Sequence, residues 1–160
     1  MMSETEEPLQ QPARAASRRR VARVAAVQTL YQAEVAKKPL SVVATDMRQH
    51  YLGHAVDDMS LVADRRFYDT VLNAVEENGG KLIDLVEGAL DKRQFDRMEL
   101  VLQAILVAGA AELLAIVETP PKVAISEYVD IADDFFGRPE AALVNAALDR
   151  IARLVRPDEF

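Results

Sequence analysis

The chain has 160 residues, of which 50% are hydrophobic and 6% aromatic, and its formal net charge is −7. It contains no cysteine, which excludes disulfides, thiolate metal sites and cysteine nucleophiles and suits a reducing cytoplasm. The length allows one ordinary domain with its own core, and the negative charge argues against a generally basic nucleic-acid-binding surface.

The first predicted helix follows a polar N-terminal segment. Residues 1–16 contain proline and no apolar core, so we predict a disordered tail and no secretory signal. Ser17 is a suitable N-cap, and the helix is predicted to run to Lys37-Lys38, where Pro39 ends it. A second helix is predicted from about residue 41 to 51, with a loop at residues 53–58.

Glycine and proline signals divide the rest of the chain into further helices. Asn78-Gly79-Gly80 is a strong stop signal. The apolar stretch 100–117 contains Gln103 and Glu112, so we predict a buried central helix and no membrane span. The predicted helices cover about residues 61–77, 81–90, 96–117, 122–136 and 140–154.

Strand signals are absent, because no sustained alternation of apolar and polar residues and no Asn-Gly or Asp-Gly hairpin occurs. We therefore predict an all-α fold of about seven helices. One domain is expected at residues 17–157, with tails at 1–16 and 158–160.

Four arginines, Arg18, Arg19, Arg20 and Arg23, lie in the first turns of the first predicted helix, where the helix dipole favours acidic residues. Residues 1–38 hold seven Lys/Arg against four Glu, whereas the rest of the chain holds twelve against twenty-two acidic residues. Two interpretations stay open. The arginines form a solvated helix end paired with the acidic remainder, or they bind phosphate through bidentate donors beside free backbone N–H groups.

Other polar groups do not indicate catalysis. His50 and His54 have the spacing of two metal ligands on a helix, but no third ligand is evident. Adjacent carboxylates at 57–58 and 133–134 point apart on a helix, and no nucleophile with a base, no phosphate-binding glycine loop and no dinucleotide motif occurs. We predict no enzyme, no metal site and no cofactor.

Two smaller features have structural interpretations. Gly109, inside an apolar helix, predicts a close helix–helix contact. Phe135 and Phe136 are able to stack on bases, but we expect one of them to pack in the core.

Three stretches together resemble a known family. RRVARVAAVQTLYQ (19–32) has a basic start followed by an Ala-Val-Gln-x-Leu-Tyr core, and it precedes PPKVAISEYVDIADDFF (120–136) and LVNAALDRIARLVRP (143–157). In this order and spacing they resemble the opening helix, the Pro-x-Lys-Val-x-Ile-Asn-Glu segment and the closing helix of the NusB family of bacterial transcription antitermination factors.

The resemblance implies a fold and a function. The fold is two packed three-helix bundles plus an N-terminal helix. The function is binding of the boxA sequence of nascent ribosomal RNA transcripts together with NusE, a small-subunit ribosomal protein. Other Nus factors and RNA polymerase are implied as indirect partners, and a cytoplasmic monomer or weak homodimer is expected.

Matching positions carry the family's site residues over to this chain. The implied RNA-binding residues lie at the start of the first helix and around the junction of the last two helices: Arg18, Arg19, Arg20, Arg23, Phe136, Gly137, Glu140, Leu143 and Asn145, with Val144 between the last two. The implied partner-binding residues are Tyr31, Leu102 and Gln103.

The chain departs from the family pattern at specific positions. Leu143 and Ala146 stand where Phe and Gly are usual, and Val107 and Ala111 replace an Arg and a Tyr on the fifth helix. Two alternatives therefore stay open. One is a helical adaptor of the same fold that binds only proteins. The other is the RNA-binding module of an RNA-modifying enzyme, whose α/β catalytic domain is not in these residues.

Overall fold

The computed structural model describes residues 11–53, 62–90 and 92–160, and the side chains of 14–53, 62–90 and 95–160. These residues form seven α-helices and no strand, in agreement with the predicted all-α class. The helices are α1 (Gln11–Ala36), α2 (Leu40–His50), α3 (Arg65–Ala89), α4 (Lys92–Arg97), α5 (Leu100–Ala115), α6 (Pro121–Phe135) and α7 (Arg138–Val155), followed by a 3-10 turn, Pro157–Glu159.

Helix α5 lies at the centre and contacts α1, α3, α6 and α7. Helix α1 also packs on α2 and α3, and α7 packs on α6 and α3. The prediction of a buried central helix is confirmed, since Ile105, Leu106 and Leu113 are fully buried. Among the described helices none is both long and apolar enough to cross a membrane.

Gly109 allows α7 to approach α5 closely, as its sequence context predicts. A Cβ atom added at Gly109 would lie 2.8 Å from Cδ1 of Leu148 and 3.4 Å from Cδ2 of Tyr128. A side chain at this position would therefore require Leu148 of α7 to shift, whereas its contact with Tyr128 of α6 would be an ordinary one.

Helix α1 begins earlier than predicted. It starts at Gln11, so Ser17 lies inside the helix and does not cap it. Arg14, Ala15 and Ala16 are strong helix formers, and they extend the helix into the predicted tail. Residues 1–10 of that tail, like residues 54–58 of the predicted loop, lie outside the described residues.

The Asn78-Gly79-Gly80 signal does break the helical backbone at Asn78, as predicted, but α3 resumes directly after it, so the break is a kink and not the end of the helix. Asn78 has non-helical φ and ψ of −124° and 17°, and its Nδ2 donates to the Ala74 carbonyl at 2.9 Å. Buried side chains lie on both sides of the kink, for example Val75 before it and Leu82 after it. Burial on both sides outweighs the local preference of Asn-Gly-Gly to end the helix.

The fifth predicted helix divides into α4 and α5. Gln103 explains the break, because its Nε2 donates to the carbonyls of Phe95 at 2.8 Å and Met98 at 3.0 Å. The Phe95 carbonyl also accepts from the Met98 amide at 3.2 Å, so Gln103 adds a second donor there and caps the end of α4.

The junction of α6 and α7 depends on Gly137, which has a φ of 115° and a ψ of −170°. A side chain at this φ would be strained, so glycine suits the position. The chain therefore reverses sharply after Phe136, and the end of α6 lies beside the start of α7.

Candidate nucleic-acid interface

Arg23 lies in the core and not on the surface. Its side chain is 4% exposed, and it forms a bidentate ion pair with the fully buried Glu112 on α5: Nε donates to Oε1 at 2.9 Å and Nη2 donates to Oε2 at 2.7 Å. Its Nη1 donates to Oε1 of Glu127 on α6 at 3.3 Å. The predicted RNA contact by Arg23 is therefore corrected, because its charged group serves to join three helices.

Two aromatic residues complete this ionic cluster. The Tyr128 hydroxyl donates to Oε1 of Glu112 at 2.8 Å, and Cζ of Arg23 lies 4.7 Å from the ring centroid of Phe67. Burial raises the pKa of the Tyr128 phenol well above its ordinary value, and the charge of Glu112 adds to the shift. Burial alone would lower the pKa of Arg23, but the hydrogen bonds and charge of Glu112 raise it. Arg23 therefore keeps its charge in the core.

Arg20 reaches the surface but is also held by carboxylates of α6. Its side chain is 44% exposed, with Nε and Nη2 donating to the two oxygens of Glu127 at 3.0 Å each. Nη2 also donates to Oδ2 of Asp130 at 2.8 Å. The hydrogen bond to Glu127 raises the pKa of the Arg20 guanidinium, although burial opposes that shift.

Arg18 and Arg19 are the least constrained of the four predicted arginines. Arg19 is exposed, and its Nε lies 3.8 Å from Oδ2 of Asp64, at the long limit of an ion pair. Arg18 is half-buried and donates from Nε to the Val62 carbonyl at 3.3 Å. The amide of Asp64 donates to the Arg18 carbonyl at 3.0 Å, which attaches the start of α3 to this turn of α1.

Because Asp64 is bonded to Arg18, two further arginines at the start of α3 lie close to the arginines of α1. Arg65 and Arg66 follow Asp64 directly in the first turn of α3, and both are exposed, but Nη2 of Arg65 donates to the Arg48 carbonyl at 2.7 Å. These two arginines are not evident from the sequence as part of the site, because they lie in the chain more than forty residues after Arg19. We define the basic end of α1 as Arg18, Arg19 and Arg20 together with Arg65 and Arg66.

The contacts to α6 show which way the basic end of α1 points. Arg23 contacts Glu127, whereas the earlier Arg20 contacts both Glu127 and the later Asp130. The start of α1 therefore points towards the C-terminal end of α6, where it meets α7. The two predicted parts of the RNA surface lie at the same end of the molecule.

The junction of α6 and α7 presents a different aromatic residue from the predicted one. Phe136 is half-buried and packs on the core, whereas Phe135 is exposed. Phe135 thus presents more surface than the predicted Phe136, whose role in RNA binding stays a prediction. The expectation that one phenylalanine packs on the core is confirmed.

The remaining predicted RNA residues vary in exposure. Gly137 and Glu140 are half-buried at the start of α7, and Asn145 is exposed. Leu143 is half-buried and packs on the core. Val144 is fully buried, so it does not face RNA.

Tyr31 lies on a separate surface, at the C-terminal half of α1. It is 39% exposed and lines a groove of about 490 Å³ between α1 and α2. The exposed Val35 and Tyr51 line the same groove, and Val42 is exposed nearby on α2. We call these residues the apolar face of α1 and α2.

The other two predicted partner-binding residues do not belong to that face. Leu102 is 6% exposed and packs in the core, so the structure does not present it to a partner and its predicted role is corrected. Gln103 is half-buried and lines a different groove with Leu30 and Glu34, while its amide holds the break between α4 and α5.

The described residues contain no cluster of three or more His, Asp or Glu side chains placed to hold a metal ion. His50 is exposed, with Nε2 3.5 Å from Oδ1 of Asp46. His54, Asp57 and Asp58 lie outside the described residues.

Glu112 has a structural role that the sequence did not indicate beyond arguing against a membrane span. A single carboxylate in an apolar central helix is a signal that a buried cation must meet it. The sequence alone does not identify that cation, because Arg23 is 89 residues away.

Comparisons with known proteins agree with this architecture. The NusB family model matches residues 20–153. The transcription antitermination protein NusB of Bradyrhizobium diazoefficiens is 42% identical over 147 residues, which cover 91% of this chain and 89% of that protein.

Two solved structures are similar in fold. T. maritima NusB has a TM-score of 0.72 at 24% identity, covering 89% of this chain and 96% of its own. A chain of the crystal structure of antitermination factors NusB and NusE in complex with double-stranded RNA has a TM-score of 0.72 at 17% identity, covering 86% of this chain and 98% of its own.

Proposed function

Because this chain belongs to the NusB family, we propose that it is a transcription antitermination factor that binds boxA-type RNA of nascent ribosomal RNA transcripts together with NusE. The family consists of antitermination proteins and not of enzymes. We place the protein in the cytoplasm, where nascent bacterial transcripts are found.

The observation that carries the RNA part of the proposal is the basic end of α1. Arg19 and Arg20 of α1 and Arg66 in the adjoining first turn of α3 are exposed on a molecule whose net charge is −7, whereas Arg65 donates to the Arg48 carbonyl. A local basic patch on an acidic surface attracts phosphate at one place and repels it elsewhere. The exposed Phe135 near the same end offers a stacking surface for an unpaired base.

The apolar face of α1 and α2 supports the partner in the proposal. Tyr31, Val35 and Tyr51 expose apolar surface around one groove, which is unfavourable in water unless another surface covers it. A NusB–NusE complex is known for a structural neighbour of this chain. We assign this face to NusE.

Few arginines at the basic end imply weak RNA binding by the protein alone. Each phosphate neutralised by a cation on single-stranded RNA contributes about 0.7 to the salt slope of log K, so three to four contacts give a shallow slope. NusE would raise the affinity by extending the contact surface, which is a coupling between two binding events.

The test is fluorescence anisotropy with labelled boxA-like RNA, a scrambled RNA and a duplex of the boxA-like sequence, at several salt concentrations, with and without NusE. We expect selective binding of single-stranded boxA-like RNA that NusE strengthens. Equal binding of the scrambled RNA, or no change on adding NusE, would contradict the proposal.

A second candidate, the protein-only adaptor, has one observation in its favour. Carboxylates already pair with Arg20 and Arg23, so fewer cations face solvent than the sequence suggests. Capture of NusE without binding of any RNA would establish that function. The third alternative, a module of an RNA-modifying enzyme, has no support in the relatives, since the chain covers 89% of the Bradyrhizobium antitermination protein.

A further inference from the structure

The hydrogen bonds of Arg20 limit how it is able to bind a phosphate. A guanidinium group has two edges that bind an oxyanion in bidentate fashion, one formed by Nε and Nη2 and the other by Nη1 and Nη2. Glu127 occupies the first edge with both of its oxygens. Asp130 accepts from the Nη2 hydrogen of the second edge at 2.8 Å. A phosphate is able to bind Arg20 in bidentate fashion only if one carboxylate leaves.

The two carboxylates differ in how firmly they are held. The side chain of Glu127 is 19% exposed, and its Oε1 accepts from both Arg20 and the buried Arg23. The side chain of Asp130 is 50% exposed, and Arg20 is its hydrogen-bond partner among the described residues. Asp130 is therefore the carboxylate that is displaced at the lower cost.

We propose that Asp130 is a specificity-determining residue of the RNA interface, because it competes with an RNA phosphate for the outer edge of Arg20. This inference rests on the proposed RNA binding. A phosphate must exchange with the aspartate to gain both hydrogen bonds of that edge. A weak, non-specific contact with a single phosphate does not offset the free-energy cost of breaking the Arg20–Asp130 ion pair. Binding of RNA at several points does offset that cost.

Removing the charge of Asp130 tests the inference. Asp130→Asn keeps the shape of the side chain and removes its charge. Asp133→Asn is the matched control, because Asp133 is exposed on the same helix and makes no hydrogen bond to Arg20. We expect Asp130→Asn to bind boxA-like RNA about two- to fivefold more tightly than the control, the range typical of an exposed ion pair. The gain for scrambled RNA should be larger than the gain for boxA-like RNA, so that selectivity falls.

A second pair of variants separates competition for Arg20 from a general change of charge. In an Arg20→Ala background, Asp130→Asn and Asp133→Asn should have equal effects on RNA affinity, because the contested guanidinium is gone. A gain by Asp130→Asn that persists there would overturn the inference. A loss of RNA affinity on Asp130→Asn in the parent would also overturn it, since Asp130 would then position Arg20 for RNA.

The outcome for the parent protein distinguishes this inference from the proposed function. If the parent binds boxA-like RNA and the two aspartate variants bind equally, only the inference fails. If no variant binds RNA while all of them capture NusE, the proposed RNA binding fails and the inference with it. Thermal unfolding of each variant verifies that the fold is kept.

Discussion

The two ends of α1 present opposite chemistry to solvent. Near its start, Arg19 and Arg20 carry positive charge that Asp64, Glu127 and Asp130 partly neutralise. Towards its end, Tyr31 and Val35 expose apolar surface beside α2. Between the two ends, Arg23 is buried. One helix thus offers a basic surface and an apolar surface, with a buried ion pair between them.

Residue type alone therefore does not determine the role of a position along this helix. Four arginines within six positions look equivalent in sequence, yet Arg23 stabilises the core while Arg19 faces solvent. Variants that affect one end and leave the other unchanged test whether the two surfaces are independent.

The largest effect is expected for Arg23→Ala. Removing one partner of a buried ion pair leaves Glu112 as an uncompensated buried charge, which costs about 3–5 kcal/mol of the free energy of unfolding. Denaturant unfolding followed by circular dichroism measures the loss. Arg19→Ala is the matched control, and as an exposed substitution it should change stability by less than about 0.5 kcal/mol. Equal stability of the two variants would contradict the structural role of Arg23.

The next largest effect is expected for Tyr31→Asp. A charge placed on the apolar face should weaken binding of NusE by about 1–2 kcal/mol, as for a well-packed aromatic residue at an interface, while RNA binding by the protein alone stays unchanged. Calorimetric titration measures the affinity for NusE, and fluorescence anisotropy measures the affinity for RNA. Asn73→Asp, at an exposed position of α3, serves as the control. Equal loss of both activities would indicate misfolding.

A smaller effect is expected for Leu143→Phe, which restores the aromatic residue usual in the family. A base stacked on the new ring should strengthen RNA binding by about 1 kcal/mol, at the lower end of the range for base–aromatic stacking, because Leu143 is half-buried. Anisotropy at fixed salt measures the gain. A fall in melting temperature without any gain in affinity would mark residue 143 as a core position.

The smallest effect is expected for Arg19→Ala on RNA binding. Loss of one phosphate contact should lower the salt slope of log K by about 0.7 and weaken boxA-like and scrambled RNA alike. Titrations at four or more salt concentrations determine the slope. Lys122→Ala, which removes an exposed cation at the start of α6, should leave the slope unchanged if the basic end of α1 is the RNA surface.

The sequence predicted the helices well where tertiary packing agrees with local preference. Pro39, Pro121 and Gly137 mark real boundaries, since the ring of proline fixes φ and glycine adopts a φ of 115° that would strain other residues. At Ser17 the capping signal was outweighed by the helix preference of the preceding residues. At Asn78 burial on both sides of the kink allows α3 to resume after the stop signal.

The sequence was less informative about the site. It located a basic cluster and the junction of α6 and α7, but which arginine is buried depends on Glu112, and which phenylalanine is exposed depends on how α6 packs. Partners separated by tens of residues are decided by the tertiary arrangement, so helix periodicity does not reveal them. Arg65 and Arg66 were missed for the same reason.

The ion pair of Arg23 and Glu112 also fixes the register of α1 on α5. Small side chains such as Ala22, Ala25 and Ala26 line the buried side of α1 and would permit the helix to slide along its neighbour. A slide of one turn would move Arg23 by about 5.4 Å and leave two unpaired charges in the core. Only one longitudinal position of α1 satisfies the pair, so a buried contact sets where the basic and the apolar surfaces emerge.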